Sequence, residues 1–125
     1  MMGTSGEPSF EVRCERSEDA VVVVTRGEID VLTAEVLHDV LSSQEAQAPL
    51  IVLDLRDIGF MDSSGLSVVV DHHRRAKAAG NEFAVAVGEA SRTRRLLVLS
   101  GLAETLELVD APADALMSEP RSGGA

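Results

Sequence analysis

Apolar and polar residues alternate near the start of the chain: Phe10, Val12 and Cys14 are separated by Glu11, Arg13 and Glu15. A period of two marks a half-buried strand. Parity places Cys14 beside Phe10 and Val12 as a small core residue. Ser17-Glu18-Asp19 then turns the chain into Val21-Val22-Val23-Val24, an unbroken β-branched run suited to a central strand. So short a link predicts an antiparallel hairpin, and Gly27-Glu28-Ile29-Asp30 ends its second strand.

Beyond this point the period lengthens. A first helix is expected from Ala34 to Gln44, with Thr33 as N-cap, Glu35 in the first turn and Leu37, Val40 and Leu41 as its buried stripe. Pro49 precedes Leu50-Ile51-Val52-Leu53-Asp54-Leu55, apolar enough to be buried on both faces. A second helix spans Ser64 to Ala79 and closes at Gly80. Leu66, Val69, Val70, His73 and Ala76 form its inner face, while Ser64, Ser67, Asp71 and Arg74 look outward. Phe83 to Val87 is a strand. Ser91 caps a helix from Arg92 to Ser100, closed by Gly101. Leu106 to Val109 is a last strand, and Ala113 to Met117 holds a helical turn or two.

Strands alternating with helices after an opening hairpin give an α/β fold. The expectation is one domain over residues 10–117: a mixed, mostly parallel sheet of about five strands, with right-handed crossovers and about four covering helices. Residues 1–9 are expected to be a flexible extension and 118–125 a disordered tail.

Composition narrows the function. A formal net charge of −10 opposes a nucleic-acid partner, because phosphate backbones are held by basic surfaces. Without Trp or Tyr, and with only three Phe, the chain also lacks base-stacking platforms. A basic protein surface suits this charge better. The single cysteine permits no internal disulfide or thiolate metal cluster, which fits a reducing cytosol. Met1 to Pro8 has no basic or apolar signal region, and no apolar run nears the ~20 residues needed to span a bilayer. These features predict a cytoplasmic protein with no membrane partner.

The chemistry concentrates at Gly59-Phe60-Met61-Asp62-Ser63-Ser64-Gly65, where a strand hands over to the second helix. A helix N-terminus offers unpaired N–H groups and a dipole that favours negative charge. Asp62 or Ser63 can cap it, and a phosphate on a serine there would find donors. Gly65 allows close packing of the first turn. Local sequence favours a structural cap, and leaves a modifiable switch open.

Other chemistries fail on geometry. A serine hydrolase needs a base in contact, yet His72 lies nine helical positions from Ser63, roughly 13 Å by helix rise. No Gly-x-Ser-x-Gly elbow is present. His72 and His73 point about 100° apart and do not face a common ion, so no metal is assigned; His72 is read as solvated and His73 as bordering the core. Neither a Gly-x-Gly-x-x-Gly nor a Walker loop is present, and no cofactor is expected. Arg92, Arg94 and Arg95 read as a solvated basic helix face, with a partner contact left open.

Gly27-Glu28-Ile29-Asp30 with Thr33-Ala34, then Phe60-Met61-Asp62-Ser63-Ser64-Gly65-Leu66, then Ser100-Gly101-Leu102 together resemble the STAS domains of bacterial anti-sigma factor antagonists. The likeness runs from about Phe10 to Leu116, in the family's order and spacing. It implies a non-enzymatic protein whose unphosphorylated form binds an anti-sigma factor serine kinase and so frees the sigma factor. Phosphorylation of one serine breaks that complex, and a PP2C-type phosphatase restores it. By match of motif the modified serine is Ser63, with Ser64 its neighbour, and Asp30 matches the acidic residue of the adjoining loop. Asp30, Asp62, Ser63, Ser64, Ser67, Val68 and Asp71 are the expected partner surface. The rival reading is a STAS module built into a transport or stress-sensing assembly as a structural subunit, against which the intact Asp-Ser-Ser block argues.

Overall fold

The computed structural model describes residues 10–117. The expected N-terminal extension and C-terminal tail lie outside them. Elements follow in the order β1 (Phe10–Arg16), β2 (Ala20–Ile29), α1 (Val31–Glu45), β3 (Leu50–Met61), α2 (Ser63–Ala79), β4 (Glu82–Ala86) and α3 (Arg92–Leu99). A 3-10 turn at Leu102–Glu104, β5 (Glu107–Val109) and α4 (Pro112–Leu116) complete the described chain.

The five strands lie side by side in chain order, with β1 and β2 antiparallel and every later pair parallel. This is the expected α/β architecture. Its topology has a consequence for layering. Successive parallel strands all step in one direction, so right-handed crossovers must put their helices on one face. On that face Val21, Val23, Ile51, Leu53, Leu55 and Val85 pack with Leu37 and Leu41 of α1, Val69 of α2 and Leu97 of α3. The opposite face carries Val22, Leu50, Val52, Ala84 and Ala86, and receives Ala115 of the short α4. Burial on both faces explains the unbroken apolar run of β3.

Three local readings need correction. Thr33 is not the cap of α1: the helix starts three residues earlier than expected, at Val31, with Asp30 as N-cap. Glu35 therefore lies beyond the first turn. Cys14 is exposed, not buried. Parity gives the side of an edge strand on which a residue lies, but not how far the helices reach over it; Phe10 and Val12 are covered and Cys14 is not. Finally, β3 does not stop at Leu55. It continues to Met61 through pairing with the irregular end of β2, where the register shifts between Val24 and Arg26 and again between Gly27 and Glu28. Gly27 has φ of 112°, a left-handed-side conformation that side chains disfavour, at a bulge that bends the strand end.

Candidate functional site

The junction at Asp62 is tighter than a loop. β3 ends at Met61 and α2 begins at Ser63, so Asp62 alone makes the turn. Its extended backbone suits an N-cap, and its Oδ1 accepts from Ser64 N–H at 2.8 Å. The Asp62 carbonyl accepts from Gly65 N–H at 3.0 Å and Leu66 N–H at 3.2 Å. Between strand-end register Ile29↔Met61 and a hydrogen bond from Asp62 N–H to Ile29 carbonyl at 3.1 Å, the ends of β2 and β3 are fixed side by side.

Asp30 caps α1 at the same edge of the sheet. Its Oδ1 accepts from Leu32 N–H and Thr33 N–H, both at 3.0 Å, and Asp30 N–H donates to Thr33 Oγ1 at 2.8 Å. That reciprocal pair is a capping box with Thr in the third helical position. The Thr33 backbone N–H holds the Asp30 carboxyl below its ordinary pKa, against a smaller effect of desolvation. Two helix N-termini, each closed by an aspartate, therefore leave neighbouring parallel strands at their carboxyl ends. In open α/β sheets ligand sites form beyond the carboxyl ends of the strands.

Gly65 makes the approach possible. A Cβ there would lie 2.8 Å from Met61 Sδ and 2.9 Å from Ile29 Cγ2, both buried side chains. The close packing expected of this glycine is present, and it seats the first turn of α2 on the two strand ends.

Ser63 and Ser67 are exposed, and with Leu66, Val70, Asp71 and Arg74 they line a shallow depression along α2. Ser64 is half-buried behind the Asp62 cap. Val68 is partly buried against the core, so Leu66 and Val70 fill the place in the depression that the sequence reading gave to it. The helix donors expected to await a phosphate are largely taken, since Asp62 engages Ser64, Gly65 and Leu66 N–H. Sequence reading also missed exposed apolar residues at this edge: Val31 (64% exposed), Leu32 (73%) and Phe60 (48%) flank the two caps. Their position next to Asp30 and Asp62 was the available signal.

A second polar cluster joins α1 to α2. His72 is buried, not solvated: it shares the inner side of α2 with Gly65 and Val69, while Leu66 and Ala76 of the expected stripe are partly buried against the core. Its Nδ1 lies 2.6 Å from Glu45 Oε2 and its Nε2 2.9 Å from His38 Nδ1. Arg75 closes the chain on Glu45 with two bonds, at 2.9 and 3.0 Å. Burial pushes His72 below the ordinary histidine pKa, against the pull of Glu45. A neutral His72 thus donates from Nδ1 to Glu45 and accepts at Nε2 from His38. His38 thus faces His72 across the two helices.

The STAS domain family profile matches residues 11–115. This chain belongs to the STAS domain family. Among its relatives, the anti-sigma F factor antagonist of Paenibacillus polymyxa is 30% identical over 110 residues, covering 86% of this chain and 93% of the relative. The anti-sigma-F factor antagonist RsfB of Mycobacterium tuberculosis is 31% identical over 113 residues, 90% of this chain and 91% of that protein. Among solved STAS structures, an anti-sigma factor antagonist from Mycobacterium paratuberculosis superposes with a TM-score of 0.79 at 30% identity, covering 86% and 92% of the two chains. Among the described residues of this STAS domain, no helix is long and apolar enough to cross a membrane.

Proposed function

We propose that this STAS protein is an anti-sigma factor antagonist, a regulatory binding protein and not a catalyst, gated by phosphorylation of Ser63. The names of relatives at 30% and 31% identity over most of the chain support the antagonist role. In its unphosphorylated form the protein binds an anti-sigma factor that is also a serine kinase, and the sigma factor is released. A PP2C-type phosphatase resets the modified form.

One observation carries the assignment to Ser63: it is the exposed hydroxyl at the first position of α2, directly after the Asp62 cap. Ser64 is drawn behind the cap through its N–H. A phosphate on Ser63 adds about −1.5 to −2 charge beside Asp62 and on the edge that also carries Asp30. With the neighbouring N–H groups already engaged, this charge acts outward, on whatever docks there. Val31, Leu32 and Phe60 supply apolar contact area and the aspartates set its electrostatic sign. The gate is one of charge at an interface and requires no refolding.

The test is to incubate the protein with ATP and each serine-kinase anti-sigma factor of the same genome, and to map phosphate by mass spectrometry. A single phosphate on Ser63, absent from Ser63→Ala, is the expected result. Phosphate confined to Ser64 or to other residues overturns the assignment.

A further inference from the structure

We infer that His38, Asp71 and His72 form a binding site for a borderline divalent transition-metal ion such as Zn2+, bridging α1 and α2. One ligand atom from each residue lies within 4.8 Å of the others. The two imidazole nitrogens, His38 Nδ1 and His72 Nε2, are 2.9 Å apart. Two metal–nitrogen bonds of about 2.05 Å place their nitrogens about 2.9 Å apart at a right angle and about 3.3 Å apart at a tetrahedral one. The separation of the two nitrogens therefore needs no more than about half an ångström of change, within reach of the partly exposed His38, to match either angle.

The surroundings are those of a built ligand set. His72 is 2% exposed, and its Nε2, turned toward His38, is held in place because Nδ1 is engaged by Glu45 Oε2 at 2.6 Å. A carboxylate behind an imidazole fixes the tautomer and raises the basicity of the ligating nitrogen, the arrangement found behind metal-bound histidines generally. Arg75 in turn fixes Glu45 with both a 2.9 and a 3.0 Å bond, so this guanidinium is already matched by a carboxylate. Its longer contact with Asp71, 3.5 Å at a half-exposed position, yields to a metal without leaving Arg75 unpaired.

Binding requires His38 to carry its proton on Nε2 and turn its Nδ1 lone pair to the ion, a tautomer change open to a partly exposed ring. Nitrogen and carboxylate ligands together select zinc-like ions over Mg2+ or Ca2+, which favour oxygen. Three protein ligands leave the remaining coordination positions to water. The ion would cross-link the two helices about two turns along α2 from Ser63. The site stands on its own residues and does not depend on the function proposed above.

The experiment uses the untagged full chain, stripped of metal, titrated with Zn2+ and separately with Mg2+ by calorimetry. Thermal unfolding and histidine ring NMR follow the same titrations. One equivalent of Zn2+ is expected to bind, raise the melting temperature and shift the His38 and His72 ring signals, while Mg2+ does none of these. His38→Ala and the surface variant Asp71→Asn should each weaken zinc at least tenfold. His73→Ala and Cys14→Ser, which remove other accessible ligands, should leave it unchanged. Absence of saturable zinc binding, or equal affinity in His38→Ala and wild type, overturns the site.

Discussion

The backbone N–H of Asp62 donates to the carbonyl of Ile29 across 3.1 Å, tying the cap of α2 to the strand that delivers the cap of α1. Ile29 is followed by Asp30, so one hydrogen bond sets the spacing of two capped helix ends. It also sets where Ser63 emerges. The site is thus a product of strand register, and changes to the junction should be read first as changes in that packing.

Asp62→Ala removes the acceptor for Ser64 N–H. Loss of such a cap costs about 1 kcal/mol, which lowers the melting temperature by a few degrees in a domain of this size. Asp62→Asn keeps an acceptor and should recover most of the loss. Urea or thermal unfolding of the three proteins checks the order; equal stability of Ala and wild type would remove the cap from the account.

Gly65→Ala places a methyl against Ile29 and Met61. Overpacking of this kind costs about 1–3 kcal/mol. Gly59→Ala is the matched control, because nothing lies within 4 Å of its added carbon. The urea midpoint should fall for Gly65→Ala and stay within error or rise for Gly59→Ala.

Asp30 gives a pH signature. Its folded-state pKa lies below the ordinary 3.8, so the stabilisation it provides is complete above that value. It is lost as pH falls through the folded value, when the cap is protonated. Asp30→Asn should therefore lose stability relative to wild type at neutral pH, and the gap should narrow as pH drops below 4. Unfolding curves taken from neutral pH down to the acid limit test this; a gap that widens with acid contradicts it.

These caps also show what a sequence can and cannot reveal. Gly80 and Ser91 were legible because each acts on its own turn: Gly80 takes φ of 77° and Ser91 Oγ accepts from Arg94 N–H at 3.0 Å. Asp30 was misread as a strand end because Val31 and Leu32 are apolar and exposed, a pattern that periodicity assigns to no helix face. Val69, Leu66 and Ala76 of the expected α2 stripe do pack on the core, but His72 was missed because the partners that make its burial possible, His38 and Glu45 of α1, are distant in sequence. The motif alone singles out Ser63 over Ser64 in the sequence; what the structure adds is that Ser63 is exposed while Ser64 is half-buried with its N–H on the Asp62 cap.

Leu32→Asp and Phe60→Ala test the docking edge. Both side chains are exposed, 73% and 48%, so stability should change little. Central apolar anchors of an interface often contribute 2 kcal/mol or more, about a thirtyfold loss of affinity on removal. Weakened binding of the anti-sigma factor with an unaltered melting temperature is the expected outcome, measured by calorimetry.

The most direct test compares the affinity of one cognate serine-kinase anti-sigma factor for unmodified protein and for protein stoichiometrically phosphorylated on Ser63. The account predicts a loss of at least tenfold, or about 1.4 kcal/mol, with Ser63→Ala binding like the unmodified chain and superimposable folded-state spectra. Equal affinity of the modified and unmodified forms would contradict charge gating at Ser63.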